Sequence, residues 1–440
     1  MKLPILTLSV MTVLLAAPAF ATPALATVVG ANTPAQAITA ERIKALPAET
    51  RPVWQAYLDR SVAQMAADRA ALAAEGKPGD IPPVKMRGDS EKTMPLDRAP
   101  DWYATPEARH IADVIVSFQT PAGGWSKNQS RDGALRVPGQ SWAGDNNSRF
   151  ATPGDFDTAR DEHWHYVGTL DNDATITELQ FLARVITAIP GADARPYHTA
   201  FEKGATYLFS AQFPNGGWPQ VWPLEGGYHD AITFNDDALV HAAELMSDIA
   251  SETGDYAFVP PVIRQQAVSA RDRAIACILT TQVIVKGHRT VWGQQHDALT
   301  ELPVAARNFE PDALSSAESA SLLVYLMQLP DPSPEIVATV HEGVKWLHGV
   351  TLHDVIWTDG GDKAAGRRLI ASPGAPDLWA RYYVASTGKP VFGDRDKSLH
   401  DDVNEISLER RNGYAWFNTA PLKVFKAYTK WSLAHPEIKP

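Results

Sequence analysis

Three stretches of this chain repeat one order of features, and no other property restricts the fold as much. Each runs from an apolar helical pattern to a Gln, an extended stretch and a Trp: IVSFQTPAGGW (115–125), LFSAQFPNGGW (208–218) and ILTTQVIVKGHRTVW (278–292). Each is followed by a polar start and a second apolar helix: LDNDATITELQFLARVI from Leu170, FNDDALVHAAELMSDI from Phe234, LSSAESASLLVYLMQL from Leu314. A weaker fourth unit is VATVHEGVKWLHGV (337–350) followed by LWARYYVAS (378–386). A helical hairpin cannot bury its apolar face alone, whereas copies stacked in a ring bury one common core. The expected class is all-α: an α/α toroid, an incomplete barrel of helical hairpins, with long irregular loops and short strands. In such a ring the polar helix starts and Gly-Gly-Trp loops gather on one face, which becomes the candidate site.

The remaining sequence divides around that unit. Met1 and Lys2 precede an apolar run to about Phe20, and Ala19-Phe20-Ala21 and Ala24-Leu25-Ala26 offer small-x-small cleavage sites. Residues 1–26 therefore read as a secretory signal peptide, implying a soluble periplasmic or secreted protein. No later stretch approaches the roughly 18 apolar residues of a spanning helix. Residues 27–98 read as an N-terminal linker and an amphipathic helix. The linker, rich in Ala, Thr and Pro, runs to about residue 50. The helix, from Pro52 to Glu75, places Val53, Tyr57, Leu58, Val62, Met65 and Leu72 near three- and four-residue spacing. A turn-rich loop follows to residue 98, and the toroid occupies 99–435. A net charge of -11, from 40 basic and 51 acidic residues, argues against a nucleic-acid or anionic-membrane surface. A polyanionic partner must then meet a local basic cluster. The single Cys277 excludes an intramolecular disulfide and a multi-cysteine zinc site, and reads as a buried apolar residue.

Candidate chemistry sits at the repeat junctions. Asp171-Asn172-Asp173 and Asn235-Asp236-Asp237 are ordinary helix caps if taken singly. Brought together by a repeat, they supply the hard oxygens that calcium requires. The Gly-Gly-Trp loops are either turns whose Trp125 and Trp218 plug the ring or aromatic platforms for a sugar, with Lys127 at the rim. Arg307 (AARNFE), Arg381 (WARYY) and Arg395 (GDRD) would be surface or salt-bridged residues if each stood alone. His163, His165, His229, His288 and His296 show no HExxH or comparable spacing, and no GxSxG, P-loop or dinucleotide fingerprint is present.

At these same residues the chain resembles the family 10 pectate lyases. The matching segments are FQTPAGGWSKN, TLDNDATITELQFLARV, AQFPNGGWPQVWPLEGGYHDAITFNDDALV, TVWGQQHDALTELPVAARNFEPDALSSAES, LWARYYVASTGKPVFGDRD and ERRNGYAWF, over about residues 110–417. The resemblance implies an α/α toroid and calcium-assisted anti β-elimination on polygalacturonate, releasing unsaturated uronides. It implies Arg307 as the base, an unusual one because its pKa exceeds 12 in water. It implies Lys127, Arg381 and Arg395 on substrate carboxylates, with Trp218 and Tyr414 against the sugar. Asp171, Asn172 and either Asp236 or Asp237 fall on the calcium- and water-binding positions. The partner would be pectin oligosaccharide, with no nucleic acid or membrane, and the expected state is a monomer. The stretch between Lys127 and Asp171, including DTARDEHWHY, is longer than the family pattern. Two rivals remain: a terpene cyclase, which shares Gln-then-Trp repeats and an Asp-Asp pair, and a noncatalytic pectin-binding protein.

Overall fold

The computed structural model describes residues 28–437 apart from 77–80, 88–93, 149–151, 153, 162–163 and 190. The expected signal peptide and His163 lie outside the described residues. Eleven α-helices are described: α1 (Ala40–Lys44), α2 (Arg51–Ala74), α3 (Pro106–Ser117), α4 (Ile176–Ala188), α5 (Arg195–Ala211), α6 (Ala238–Ala250), α7 (Pro261–Thr281), α8 (Ser316–Gln328), α9 (Pro334–Gly349), α10 (Leu408–Gly413) and α11 (Pro421–Ala434). Proline opens α3, α7 and α9, where its missing N–H costs nothing. Thr105 and Ser333 cap α3 and α9 through their side-chain oxygens.

The helices pack in two files. In one, α4, α6 and α8 touch in series, and α11 lies on α8; in the other, α3, α5, α7 and α9 touch in series. Burial follows the files. On α7 the buried residues Ile263, Ala267, Ala270, Ala274, Cys277 and Ile278 form one stripe, as expected of a helix covered on one side. On α6, Leu239, Val240, Ala242, Ala243, Leu245, Met246 and Ile249 are buried, which leaves little solvent face and marks an inner helix. The molecule is helix-rich with short strands, and the described residues form no closed barrel.

The repeated Gln and Trp stitch one copy to the next. Gln119 Nε2 donates to Gly123 O (2.8 Å) and, in the next copy, to Ala200 O (2.8 Å). Gln212 does the same with Gly216 O (2.9 Å) and Ala270 O (2.8 Å), and Gln282 with Thr290 O (2.9 Å) and Thr339 O (3.1 Å). Trp125, Trp218 and Trp292 each donate Nε1 to a carbonyl of the preceding helix, at Ile115, Leu208 and Ile278, within 2.7–2.8 Å. Gly123 and Gly216 have φ of +110° and +94°, and a Cβ there would lie 2.5 Å and 2.1 Å from the Lys203 and Arg273 carbonyls of the neighbouring helix. Only glycine admits that approach.

The fourth unit departs from its expected form. Its first helix is α9, but LWARYY is not helical; it holds the two short strands Trp379–Ala380 and Tyr382–Tyr383. Trp379 keeps the stitch, donating to Leu347 O at 2.9 Å, and α11 takes the inner place. The N-terminal region is also more than a linker. Val28–Ala31 pairs antiparallel with Ser398–His400, which pairs with Phe392–Gly393. Ile38 N donates to Asp230 Oδ2 (3.0 Å), and Arg42 meets Asp297 at 2.5 Å. The expected stripe of α2 is wrong in part: Val53 and Val62 are 54% and 62% exposed, whereas Trp54, Tyr57, Ser61 and Asp68 are buried. None of the described helices is long and apolar enough to cross a membrane.

Candidate active site

The polar starts of successive inner helices converge on one cleft of about 220 Å³. Asp171 and Asn172 enter it from the single turn before α4, and Asn235 and Asp236 from the matching turn before α6. Arg307 and Glu310 come from the loop before α8, Arg381 from between the two short strands, and Tyr414 from the end of α10. Both turns are held in left-handed backbone: Asn172 (φ 53°) and Asp173 (61°) in one, Asp236 (51°) and Asp237 (62°) in the other. Asn and Asp tolerate this region better than other L-residues. The start of α4 is capped by Thr175 and Glu178, whose carboxylate accepts Thr175 N–H (2.8 Å), and no side-chain capping bond is formed by Asp237 at the start of α6.

Asp171 is held by three side-chain donors. Lys127 Nζ lies 2.5 Å from its Oδ2, and Gln220 Nε2 (2.9 Å) and Asn235 Nδ2 (3.1 Å) donate to its Oδ1. Burial would raise its pKa, but Lys127 outweighs burial and holds it low. Asp236 accepts only Asn235 Nδ2 (3.0 Å) among the hydrogen bonds found. Burial and then the Asp171 charge push its carboxyl up to about 6. Of the two aspartates that the sequence left open, Asp236 lines the cleft, whereas Asp237 borders a separate hollow beside His241 and Glu244.

The arginines are each tied to a carboxylate that sequence reasoning missed. Arg307 is bidentate to Glu310, Nε to Oε2 at 2.9 Å and Nη2 to Oε1 at 2.6 Å, and its backbone N–H also meets Oε2 (3.0 Å). Burial would lower the Arg307 pKa, and Glu310 overrides it, holding the guanidinium well above its usual range. Tyr414 Oη donates to Glu310 Oε1 (2.7 Å) and pairs with Tyr382 Oη (2.6 Å). Arg381 Nη2 pairs with Glu318 at 2.5 Å and lies 5.0 Å over the Tyr414 ring. Glu310 stands three residues after Arg307, a spacing that reads as a surface pair. Glu318 stands three after Ser315, which reads as a capping box. Arg395 stands outside the cleft lining, on Glu409 at 2.9 Å, with its guanidinium 5.3 Å from the Phe309 ring that also meets Arg307.

Trp218 is not a sugar platform. It is fully buried, and its Nε1–H is spent on Leu208 O; the plug reading of the Gly-Gly-Trp loop holds for it as for Trp125. Trp218→Phe should therefore cost about 0.5–1.5 kcal/mol for the lost hydrogen bond, since Leu208 O keeps the Gln212 N–H at 3.1 Å, plus the packing lost with the smaller ring, with kcat per folded enzyme unchanged. Thermal unfolding and kinetics on one preparation check this.

Three cations (Lys127, Arg307, Arg381) face four carboxylates (Asp157, Asp171, Asp236, Glu310) on the cleft wall. An incoming polyanion thus meets a formally negative surface unless a further cation enters. The donors suit a hard one. Gln220 Oε1 and Gln295 Oε1 are buried in the lining without a hydrogen-bond partner, and they stand with Asp171, Asp236 and Asn172. All are oxygens of the kind calcium takes.

Comparison with known proteins places this geometry. Residues 119–425 match the pectic acid lyase family over more than half of the chain. The chain belongs to that family. It is a polysaccharide lyase. Among solved structures it is similar to the family 10 polysaccharide lyase from Cellvibrio cellulosa, at 29% identity and a TM-score of 0.62, covering 78% of this chain and 99% of the other. It is equally similar to an aspartate-to-alanine mutant of that enzyme in complex with trigalacturonic acid, at 29% identity and TM-score 0.62, covering 76% and 97%. No curated protein sequence matches. A terpene cyclase is set aside, because the cleft is walled by charges rather than by the aromatic cage such an enzyme needs.

Proposed function

We propose that the protein is a calcium-dependent pectate lyase of the periplasm or exterior that cleaves polygalacturonate by anti β-elimination. Its scaffold would be an open α/α toroid over 99–435, behind a signal peptide at 1–26. The observation that carries the reading is the convergence of Lys127, Arg307 and Arg381 with the Asp171–Asp236 pair in one polar cleft. Asp171 and Asp236, with Asn172 and Gln220 amide oxygens, would hold calcium. When bound, calcium neutralises a uronate carboxylate and acidifies its C5 proton. Lys127 and Arg381 pair with substrate carboxylates, and Arg395 stands further out for a neighbouring sugar. Arg307, in its neutral guanidine form, takes the C5 proton, the electron pair forms the C4=C5 double bond, and the C4–O bond breaks, the departing oxygen taking a proton from water. Tyr414, held by Glu310 and Tyr382, borders the sugar.

The test is the absorbance of unsaturated uronide. Purified enzyme should lose activity on polygalacturonate in chelator, regain it with calcium and not with zinc, and slow as methyl esterification removes the charges that the basic residues read. Full activity after metal stripping in chelator, or equal rates on heavily esterified pectin, would overturn the assignment. Binding to polygalacturonate with no unsaturated product would mark a noncatalytic pectin binder.

A further inference from the structure

The long stretch between Lys127 and Asp171 carries two groups that the elimination does not use, and a third meets them from the loop before α6. His165 and His229 are buried, with side chains 1% and 6% exposed. The Nε2 atom of each has no hydrogen-bond partner. Both nitrogens face Asp157 Oδ1, at 3.9 Å from His165 and 3.6 Å from His229. The three ligand atoms lie within 4.8 Å of one another.

The opposite ring nitrogens settle what those Nε2 atoms are. His165 Nδ1 is hydrogen-bonded to Glu225 Oε1, and a carboxylate only accepts. His229 Nδ1 lies 3.3 Å from the Gly226 carbonyl, which also only accepts. Both Nδ1 atoms therefore carry the proton. In the neutral rings two Nε2 lone pairs then converge on a carboxylate oxygen, an arrangement of donors with nothing to receive them. We propose that Asp157, His165 and His229 bind a first-row divalent transition ion, zinc foremost, at a site that borders the cleft through Asp157 and shares no ligand with the Asp171–Asp236 pair.

The chemistry of the set selects the ion. Two imidazoles and one carboxylate are the donors of zinc sites, with a fourth position left for water, whereas calcium takes oxygens. Zinc 2.0–2.1 Å from each ligand would set tetrahedral partners about 3.4 Å apart. The two Asp–His gaps then close by a few tenths of an ångström, and the His–His gap, at most 4.8 Å, closes by up to about 1.4 Å through ring rotation. The supporting contacts are also those of a metal site: Glu225 orients His165 and itself accepts Tyr166 N–H (3.1 Å). Tyr166 Oη (3.3 Å) and Tyr228 Oη donate to Asp157 Oδ1, and the ion would replace one of these two bonds. The ion would tie the stretch bearing Asp157 and His165 to the loop bearing His229. Between them lies Tyr166, whose ring carries Lys127 Nζ at 3.4 Å, so the site braces the platform under a substrate-binding lysine.

The experiment is a titration of tag-free, chelator-stripped enzyme with Zn2+, and separately with Co2+, each alone. One equivalent of zinc should bind and raise Tm by several degrees at saturation, and cobalt should give the intense visible bands of a nitrogen-containing four-coordinate site. Glu225→Gln, which leaves all three ligands in place, should weaken zinc by about 10- to 100-fold, and His165→Gln or His229→Gln should remove it. Asp236→Asn should leave zinc binding intact, which separates this site from the proposed calcium site. Absence of stoichiometric zinc in the wild type, a weak oxygen-only cobalt spectrum, or zinc that survives both histidine changes and is lost in Asp236→Asn would each overturn the proposal.

Discussion

Arg307→Ala and Arg307→Lys are each expected to lower kcat on polygalacturonate by about 100- to 10,000-fold, the contribution of a positioned general base, or roughly 3 to 5 kcal/mol of barrier. Substrate binding should survive in both. The lysine variant carries the discrimination, because it keeps a positive charge and loses the planar fork. If Arg307 only neutralised substrate, the lysine enzyme would retain much of kcat with a raised KM. The fork sits on Glu310, so the resting guanidinium holds its proton firmly. Abstraction then needs an alkaline medium and the neighbouring cations Lys127 and Arg381. The alanine variant also leaves Glu310 buried without its partner, so kcat must be taken per folded enzyme, with thermal unfolding measured alongside. A near wild-type kcat in Arg307→Ala would end the assignment.

What could be read from the chain beforehand was whatever is local. The Gln, the tight glycine and the Trp of each copy act within one hairpin and its neighbour, so their order in sequence is their order in space. The acidic turns before α4 and α6 were visible for the same reason. Choosing between Asp236 and Asp237 was not possible, because two consecutive left-handed residues send their side chains apart in a way that depends on backbone angles alone. Trp218 was ambiguous because an aromatic residue after a turn serves equally as plug or platform, and only burial decides. The α2 stripe misled because its buried face includes Ser61 and Asp68, polar residues that apolar periodicity discards. The first strand was invisible, since its partner at Ser398–His400 lies at the far end of the chain. The Asp157–His165–His229 group escaped notice because its members come from two loops, with none of the short ligand spacings that motifs record.

Glu310→Gln is expected to lower stability near neutral pH by at most about 3 kcal/mol, and the loss should disappear in acid. Burial alone would raise the Glu310 carboxyl, but Arg307 overrides it and holds it at about 2, against 4.5 ordinarily. Each unit is worth about 1.36 kcal/mol, and the 40% exposure of the Arg307 side chain reduces the total through solvent screening. The folded-state value is depressed, so this stabilisation is complete above pH 4.5 and is lost as pH falls toward 2. Gln keeps the shape and an acceptor for Tyr414, which isolates the charge. The Tm gap between wild type and variant should therefore be widest above pH 5 and close steadily below it, and a gap independent of pH would show that the pair contributes no such charge stabilisation. The same variant bears on catalysis. Without Glu310 as counter-charge, Arg307 gives up its proton more readily, so a base at Arg307 requires the alkaline rise of kcat to begin at lower pH in Glu310→Gln than in wild type. An unshifted rise, in enzyme shown to be folded, would assign proton abstraction to another group.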